Sequence, residues 1–464
     1  MVGFLGMTGK ALSVAQIALV VAPSFILFGY NQSGLGPLLS EENWRHQFPQ
    51  IDTVDYKGAV KAHHATLQGL VVATFTLGAL VGALSCSYTG TLLGRRWVIF
   101  IVPVWQSECS SAKNRGKHVV LDGMFISLGY TLESWIDFGF FTLKTGSVTW
   151  RPPIAIALLF SLIVLFSIWF FPESPRWLLA QNRGQEAREN LAALKGLPMD
   201  SPEIEAECVG IELSLEDSSV KAASIKDLFS MGEDKLAYRF GLCILLQFFQ
   251  QMSGTNLISV YASVIFQQSL GMDAYNSKLL SAGTLTWKFL SCFVAFFCID
   301  RFGRRLCFIV SGAGMAMCMV GLAITTSFHG NYGASVAAAF FIYLFCFFTP
   351  IGFLGANFLY CTEVAPIRLR VAMASISTAN HWLWNFAVAM ITPVAINNIG
   401  YKYFIVYACI DPETKGRSLE ELDTIFKDSP SVLGTVRYAK YKPMMTAEEV
   451  PVAKTSDHVH TEKV

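Results

Sequence analysis

Two stretches of this sequence repeat each other and decide its architecture: residues 90–96 read GTLLGRR and residues 299–305 read IDRFGRR. Downstream of the first, Glu108 precedes Arg115 by seven residues in SECSSAKNRG. Downstream of the second, Glu363 precedes Arg370 by seven in TEVAPIRLR. A third pair closes the series, PESPR from Pro172 and PETKG from Pro412. Three signals in the same order mark an internal repeat, and parallel repeats in an apolar chain are a transporter architecture, with substrate held between the halves near the bilayer midplane.

The sequence between these signals is that of an integral membrane protein. Of 464 residues, 53% are hydrophobic and 15% charged, against about 25% charged in soluble proteins. A helix needs about 20 apolar residues to cross about 30 Å of hydrocarbon. Eight runs meet this requirement, at 11–30, 67–85, 153–171, 240–266, 280–299, 306–326, 334–360 and 371–391. A ninth, 119–141, carries Asp122, Glu133 and Asp137. An acid inside a span signals function, so Glu133 reads either as a coupling site or as a mark of a span displaced toward the interface. Runs 97–105 and 401–410 are too short to cross. No long run shows period-2 alternation, so the spans are helices and the protein is all-α.

Net charge +1 excludes the basic footprint of a nucleic-acid binder. Eleven cysteines without a CxxC pair read as small buried hydrophobes rather than as a disulfide scaffold or metal site. Basic residues cluster at Arg95, Arg96, Lys113, Arg115 and Lys117, at Arg301, Arg304 and Arg305, and at Arg368 and Arg370. All fall on the cytoplasmic side if the N-terminus is cytoplasmic, and the loop 31–65 is then outside. This divides the chain into an N-terminal bundle (1–173), a cytoplasmic central loop with short helices (174–239), a C-terminal bundle with a short last span (240–426) and a disordered cytoplasmic tail (427–464).

The spacings of the repeat disagree. Arg96 to Glu108 is 12 residues, but Arg305 to Glu363 is 58, so the first half is short by 46, the length of two spans and their connection. Arg115 to Glu173 is 58 and Arg370 to Glu413 is 43, so the second half is short by 15. The latter matches the stub at 401–410.

Together the motifs resemble those of the sugar porter family of the major facilitator superfamily, especially its fungal members. They are FGYNQSG (28–34), GTLLGRR (90–96), PVWQSEC followed by RG (103–116), PESPRWL (172–178), QQMSGTN with Tyr261, DRFGRR (300–305), TEVAPIRLR (362–370), NHWLWNF (380–386) and PETKGRSLEELD (412–423). The resemblance implies a major facilitator fold of two pseudo-symmetric bundles, here with about nine full spans plus two stubs. It implies transport of a monosaccharide or polyol by alternating access, with no cofactor and no metal, by a monomer in the plasma membrane. By similarity Gln250, Gln251, Asn256 and Tyr261 face the sugar from the seventh family span and Asn385 from the eleventh, with Phe358 and Trp382 against the ring. Amides suit this task, since they donate and accept without a charge to desolvate. His381 neighbours the same site. Arg95, Arg96, Glu108, Arg115, Glu173 and Arg176, with Asp300, Arg304, Arg305, Glu363, Arg370 and Glu413, map as two sets of cytoplasmic gate charges.

Three positions depart from the family pattern. Thr91 stands where the family has Asp, Phe358 where Trp is common, and Asn31 where proton-coupled fungal members have Asp. Asparagine carries no proton, and the basic partner of that acid falls in the missing stretch, which favours facilitated diffusion over proton symport. Two other readings compete: a transport-inactive, truncated or sugar-sensing protein of the same fold, and a membrane enzyme. No HExxH, GxSxG or Cys/His cluster supports the last. If the gap is a matter of exon assignment, the coding DNA between the codons of Phe100 and Val102 will contain an in-frame stretch for about 46 apolar residues; sequencing full-length transcripts checks this, and an uninterrupted transcript there excludes it.

Overall fold

The computed structural model describes residues 6–92, 94, 96, 109, 115–144, 146–219, 229–230, 236–328, 331–354, 361, 364–365 and 369–408. Among them the regular structure is entirely helical. The first span is α1 (Gly9–Gln16), which passes through a π turn at Ile17–Val21 into α2 (Ala22–Ser33). A connection containing α3 (Glu42–Gln47) leads to α4 (Gly58–Leu92). Then come α5 (Arg115–Phe141) and α6 (Arg151–Ser167). The second half has α10 (Leu236–Met252), α11 (Thr255–Val264), α12 (Ala274–Ser327), α13 (Tyr332–Gly352), α14 (Arg370–Ile399) and α15 (Lys402–Ala408).

By length and composition alone, six helical segments among the described residues can cross a membrane: Gly9–Leu39, Gly58–Cys86, Arg151–Phe170, Ala274–Cys298, Leu306–Ser327 and Tyr332–Gly352. The three other expected spans are helical but more polar. These are α5 with its acids, the broken pair α10–α11 and α14 with its HWLWN segment. The short run 401–410 holds only the seven-residue α15, about 10 Å of helix. Its Tyr403, Phe404 and Tyr407 are nonetheless buried against the bundle. The run 97–105 and the tail lie outside the described residues.

One expectation is corrected. The run 240–266 is not one helix: Gly254 takes φ +84, a left-handed conformation that favours glycine, and separates α10 from α11. A side chain at Gly254 would also meet Met319 and Tyr407. The spans 280–299 and 306–326 appear as two crossing segments, Ala274–Cys298 and Leu306–Ser327, although the backbone stays helical from Ala274 to Ser327. The chain must still double back. Tyr343 on α13 donates its hydroxyl to the Leu280 carbonyl at 3.2 Å, while Phe341, two residues away, packs over Gly321. On a straight helix Leu280 and Gly321 would lie about 60 Å apart at 1.5 Å per residue.

The halves meet along two seams, α4 against α14 and α5 against α12. Within the first half, α2 and α5 touch backbone to backbone: Gly29 lies against the Ile126 carbonyl and Gly129 against that of Ile26. Small residues of this kind let helices approach closely where lipid offers no hydrophobic drive. The central segment folds as α7 (Pro175–Ala180), α8 (Gly184–Lys195) and α9 (Pro202–Ser219). It is no free surface element, since Ala193 and Leu194 of α8 pack on Leu12 of α1.

Gly29→Ala places a Cβ against backbone that cannot yield, and overpacking of this kind costs about 1–3 kcal/mol. Gly78→Ala meets nothing within 4 Å. Thermal unfolding of the purified protein in detergent is expected to fall for the first variant and stay unchanged for the second.

Candidate functional site

The break at Gly254 creates the site. It starts a new helix in mid-span, so Asn256, Val260 and Tyr261 of α11 turn toward the first half. There they meet Asn31, Gln32 and Leu35 at the end of α2, Val72, Phe75 and Thr76 of α4, and Asn385, Val388 and Ala389 of α14, around a shared cavity. No charged side chain is among these lining residues. The polar part of the wall is amide and hydroxyl; the remainder is apolar and aromatic. A lining of this chemistry suits a small neutral ligand that carries several hydroxyls.

The amides are oriented by one another. Asn256 donates Nδ2–H to Gln251 Oε1 at 2.5 Å, and its own Oδ1 accepts from Gln32 Nε2 at 3.3 Å and faces the Tyr130 hydroxyl at 3.5 Å. Gln251 Nε2 lies 3.0 and 3.1 Å from the two ring nitrogens of His381. His381 Nδ1 lies 2.8 Å from Gln250 Oε1 and 3.1 Å from Gln247 Oε1. One tautomer satisfies the set: Nδ1–H donates to the glutamine carbonyls and Nε2 accepts from Gln251, an assignment made from the network. Gln250 then donates Nε2–H to the Phe353 carbonyl at 3.0 Å. Tyr261 donates its hydroxyl to the Ala389 carbonyl at 2.8 Å, tying α11 to α14. Asn385 differs. It is 2% exposed and its Nδ2 has no hydrogen-bond partner among the described residues, so a buried donor faces the cavity.

Among the residues expected to face substrate, Asn256, Tyr261 and Asn385 line the cavity, and Gln250 and Gln251 stand behind it. Trp382 does not line it. That ring packs at 5.2 Å from Phe28 and 5.9 Å from Phe75, among Ala79, Ala83 and Ala379. Phe358 lies outside the described residues. Gln32, Thr76 and Tyr130 were not expected at the site. For Gln32 the signal was available in FGYNQSG, where a second amide follows Asn31; for Tyr130 and Thr76 the sequence offers none.

Among the residues expected as gate charges, Glu173 accepts the Arg96 backbone N–H at 2.9 and 3.2 Å and the Ser174 N–H at 2.9 Å. The Arg96 guanidinium reaches the Phe171 carbonyl at 2.9 Å. Gly94, at φ +94, turns the chain so that this carboxylate can approach it. Arg176 is half-buried on α7. Arg95, Glu108, Glu363 and Glu413 lie outside the described residues, as do the side chains of Arg115, Asp300, Arg304, Arg305 and Arg370. At the opposite end the halves are joined by Gln268, which donates to Thr53 Oγ1 at 3.2 Å, and by Trp135, which donates to Thr286 Oγ1 at 2.9 Å.

Comparison with known proteins comes to the same place. The sequence profile described as "Sugar (and other) transporter" matches residues 17–102 and 97–426. The sugar transporter STL1 of Saccharomyces cerevisiae is 29% identical over 96% of this chain and 87% of its own. The major facilitator superfamily transporter mfsA of Aspergillus fumigatus is 29% identical over 99% and 95%. A probable quinate permease of Aspergillus clavatus is 31% identical over 77% and 73%. The proton:xylose symporter XylE bound to 6-bromo-6-deoxy-D-glucose shares the fold, with TM-score 0.73 over 90% of this chain and 100% of that one at 19% identity.

Asn256→Leu leaves Gln251 Oε1 and Gln32 Nε2 unpaired, at about 1–3 kcal/mol for each buried group. Asn385→Leu deprives no described neighbour of a partner at its amide nitrogen. Melting of the purified protein is expected to drop for the first variant and hold for the second, the mark of a residue that waits for a ligand.

Proposed function

This chain belongs to the sugar (and other) transporter family of the major facilitator superfamily, and from that we propose that it moves a neutral monosaccharide or polyol across the plasma membrane by facilitated diffusion. Its relatives are transporters rather than enzymes. The observation that carries the substrate class is the uncharged cavity, with Gln32, Asn256 and Asn385 presenting amides beside an apolar wall. Hydroxyls pair with amides in either direction, and Val72, Phe75 and Val388 offer surface for the CH face of a ring. The same lining argues against a carboxylate substrate such as quinate, for which a cation would be needed. Lys288, the buried lysine of the neighbouring seam, is engaged behind the wall by Ser259 Oγ at 2.8 Å and lies 4.8 Å from the Tyr130 ring.

Alternating access follows from the two seams. Residues 1–173 and 240–426 are read as halves that rock about the cavity, with the N-terminus, the central segment and the basic clusters in the cytoplasm. Glu173, which is buried, accepts backbone N–H groups of Arg96 and Ser174 and so holds the shape of the cytoplasmic end of the first half. Asn31 in the cavity wall supports uncoupled movement, because an amide cannot carry the proton that an acid at this position would.

A second reading is favoured by one observation. The family match divides at residues 97–102, and the alignment to the yeast relative runs over 499 positions although this chain has 464 residues. Both support a chain that lacks two spans of the first half, and such a chain would bind or sense sugar without carrying it.

Uptake of radiolabelled sugars by transporter-deficient cells separates the two. Transport predicts uptake that withstands a protonophore at constant external pH. Asn385→Ala and Gln32→Ala are expected to raise KM about ten- to hundredfold, the equivalent of one lost hydrogen bond in a dry site. No uptake at normal surface abundance, with sugar binding retained, would establish the second reading instead.

A further inference from the structure

A second buried polar cluster lies at the end of the α5–α12 seam nearest the α2–α3 connection. Lys278 of α12 donates to Asp137 Oδ2 of α5 at 2.5 Å and to Glu41 Oε1 at 3.0 Å, and all three side chains are 1% exposed. Glu133, one turn before Asp137 on the same face of α5, is fully buried. Neither of its carboxylate oxygens has a hydrogen-bond partner among the described residues, and the same is true of Asp137 Oδ1 and Glu41 Oε2.

The charge count does not balance. Three carboxylates face one ammonium, which leaves two negative charges uncompensated when all are ionised. An unpaired buried carboxylate is too costly to persist as an anion in a dry site. The other groups around the cluster do not correct this. From α2 come the Tyr30 and Ser33 hydroxyls, from α5 that of Ser134, and from the segment before α6 that of Thr149. Arg151 is held over the Trp150 ring at 5.1 Å, and Lys288 is engaged by Ser259 and Tyr130. The described residues contain no group of three metal-ligating side chains, so the balance falls to protons.

We propose that Glu133, Asp137, Glu41 and Lys278 form a proton-binding latch between the two halves, which holds two protons while this end is closed and releases them to the adjoining solution when the halves part. Closing takes those protons back from the same side. They are therefore not carried across, and the latch regulates opening without making the transporter a symporter. That the adjoining solution is the outside rests on the orientation proposed above; the latch itself does not.

The direction of the pH effect follows from Glu41, which lies in the connection outside the spans. Burial pushes its carboxyl up to about 7, with Asp137 adding to the effect and Lys278 opposing it. Opened to water it returns to about 4.3. The closed state is thus favoured below about pH 4.3, loses that advantage as pH rises, and has lost it above about 7. For the Glu41 proton alone, the open fraction rises up to about tenfold per pH unit within this window.

Thr53 reports on the opening, because its buried hydroxyl accepts from Gln268 across the same end. The thiol introduced by Thr53→Cys is labelled in intact cells with a membrane-impermeant maleimide between pH 5 and 8 and quantified by peptide mass spectrometry. The rate is divided by that of the same substitution in a Glu41→Gln background, which removes the titrating carboxyl and cancels the intrinsic pH dependence of the thiol. The ratio is expected to rise at least tenfold from pH 5 to 7 and then level. Lys278→Met, which leaves three acids without an ammonium, is expected to increase labelling most at pH 8 and least at pH 5, and serves as the comparison if Glu41→Gln does not reach the surface. A ratio flat with pH, or a profile that Lys278→Met leaves unaltered, would overturn the latch. No sugar enters this measurement, so its result stands whether or not the chain transports.

Discussion

In hydrocarbon there is no water to satisfy a polar group, and every such group in this protein must find its partner inside the chain. That constraint makes the described structure helical throughout. It also explains why the sharp break at Gly254 is tolerated in a span, since the freed segment lines a cavity rather than lipid. The amides of Gln247, Gln250, Gln251 and Asn256 obey the same rule. Each is held by another amide, a backbone carbonyl, a sulfur or His381, and the result is a wall whose hydrogen-bonding polarity is set before any ligand arrives. Asn385 differs from these amides, because its Nδ2 faces the cavity without a hydrogen-bond partner among the described residues.

The two ends of the path are closed by different physics. At the end read as cytoplasmic, Glu173 holds backbone N–H groups of the 94–96 turn and of Ser174, contacts that fix the shape of one half. At the other end Lys278 reaches from the second half to two acids of the first, and these groups are fully buried. A buried ion pair adds little net stability over apolar packing, but breaking it by separating the partners is costly unless water or protons replace them. Such a contact is therefore suited to a door that opens under defined conditions rather than to a permanent joint.

Close packing accounts for the seams. Gly29 and Gly129 let α2 and α5 touch through backbone, which brings Tyr30 and Ser33 to the level of Glu133. Gly36 sits in the same way against the Val260 carbonyl, where the first half meets α11. These glycines place the cavity and the buried acids only a few turns apart on the same helices.

The sequence by itself determined the class, the repeat and the family. Run length against bilayer thickness gives helices, and matched GRR, Glu–Arg and PES/PET signals give two halves, because both are local properties that no neighbour can change. It also marked Asn256 and Asn385 through their motifs. It did not determine which amides reach the cavity. Gln250 and Gln251 are turned away by the helix restart at Gly254, and Gln32 comes in from a span more than 200 residues distant in the chain. Nor could it tell that Glu133, ambiguous in a single helix, lies beside a lysine 145 residues away. Partnership across a seam depends on the approach distance and rotation of two helices, and those are fixed only when the whole bundle packs.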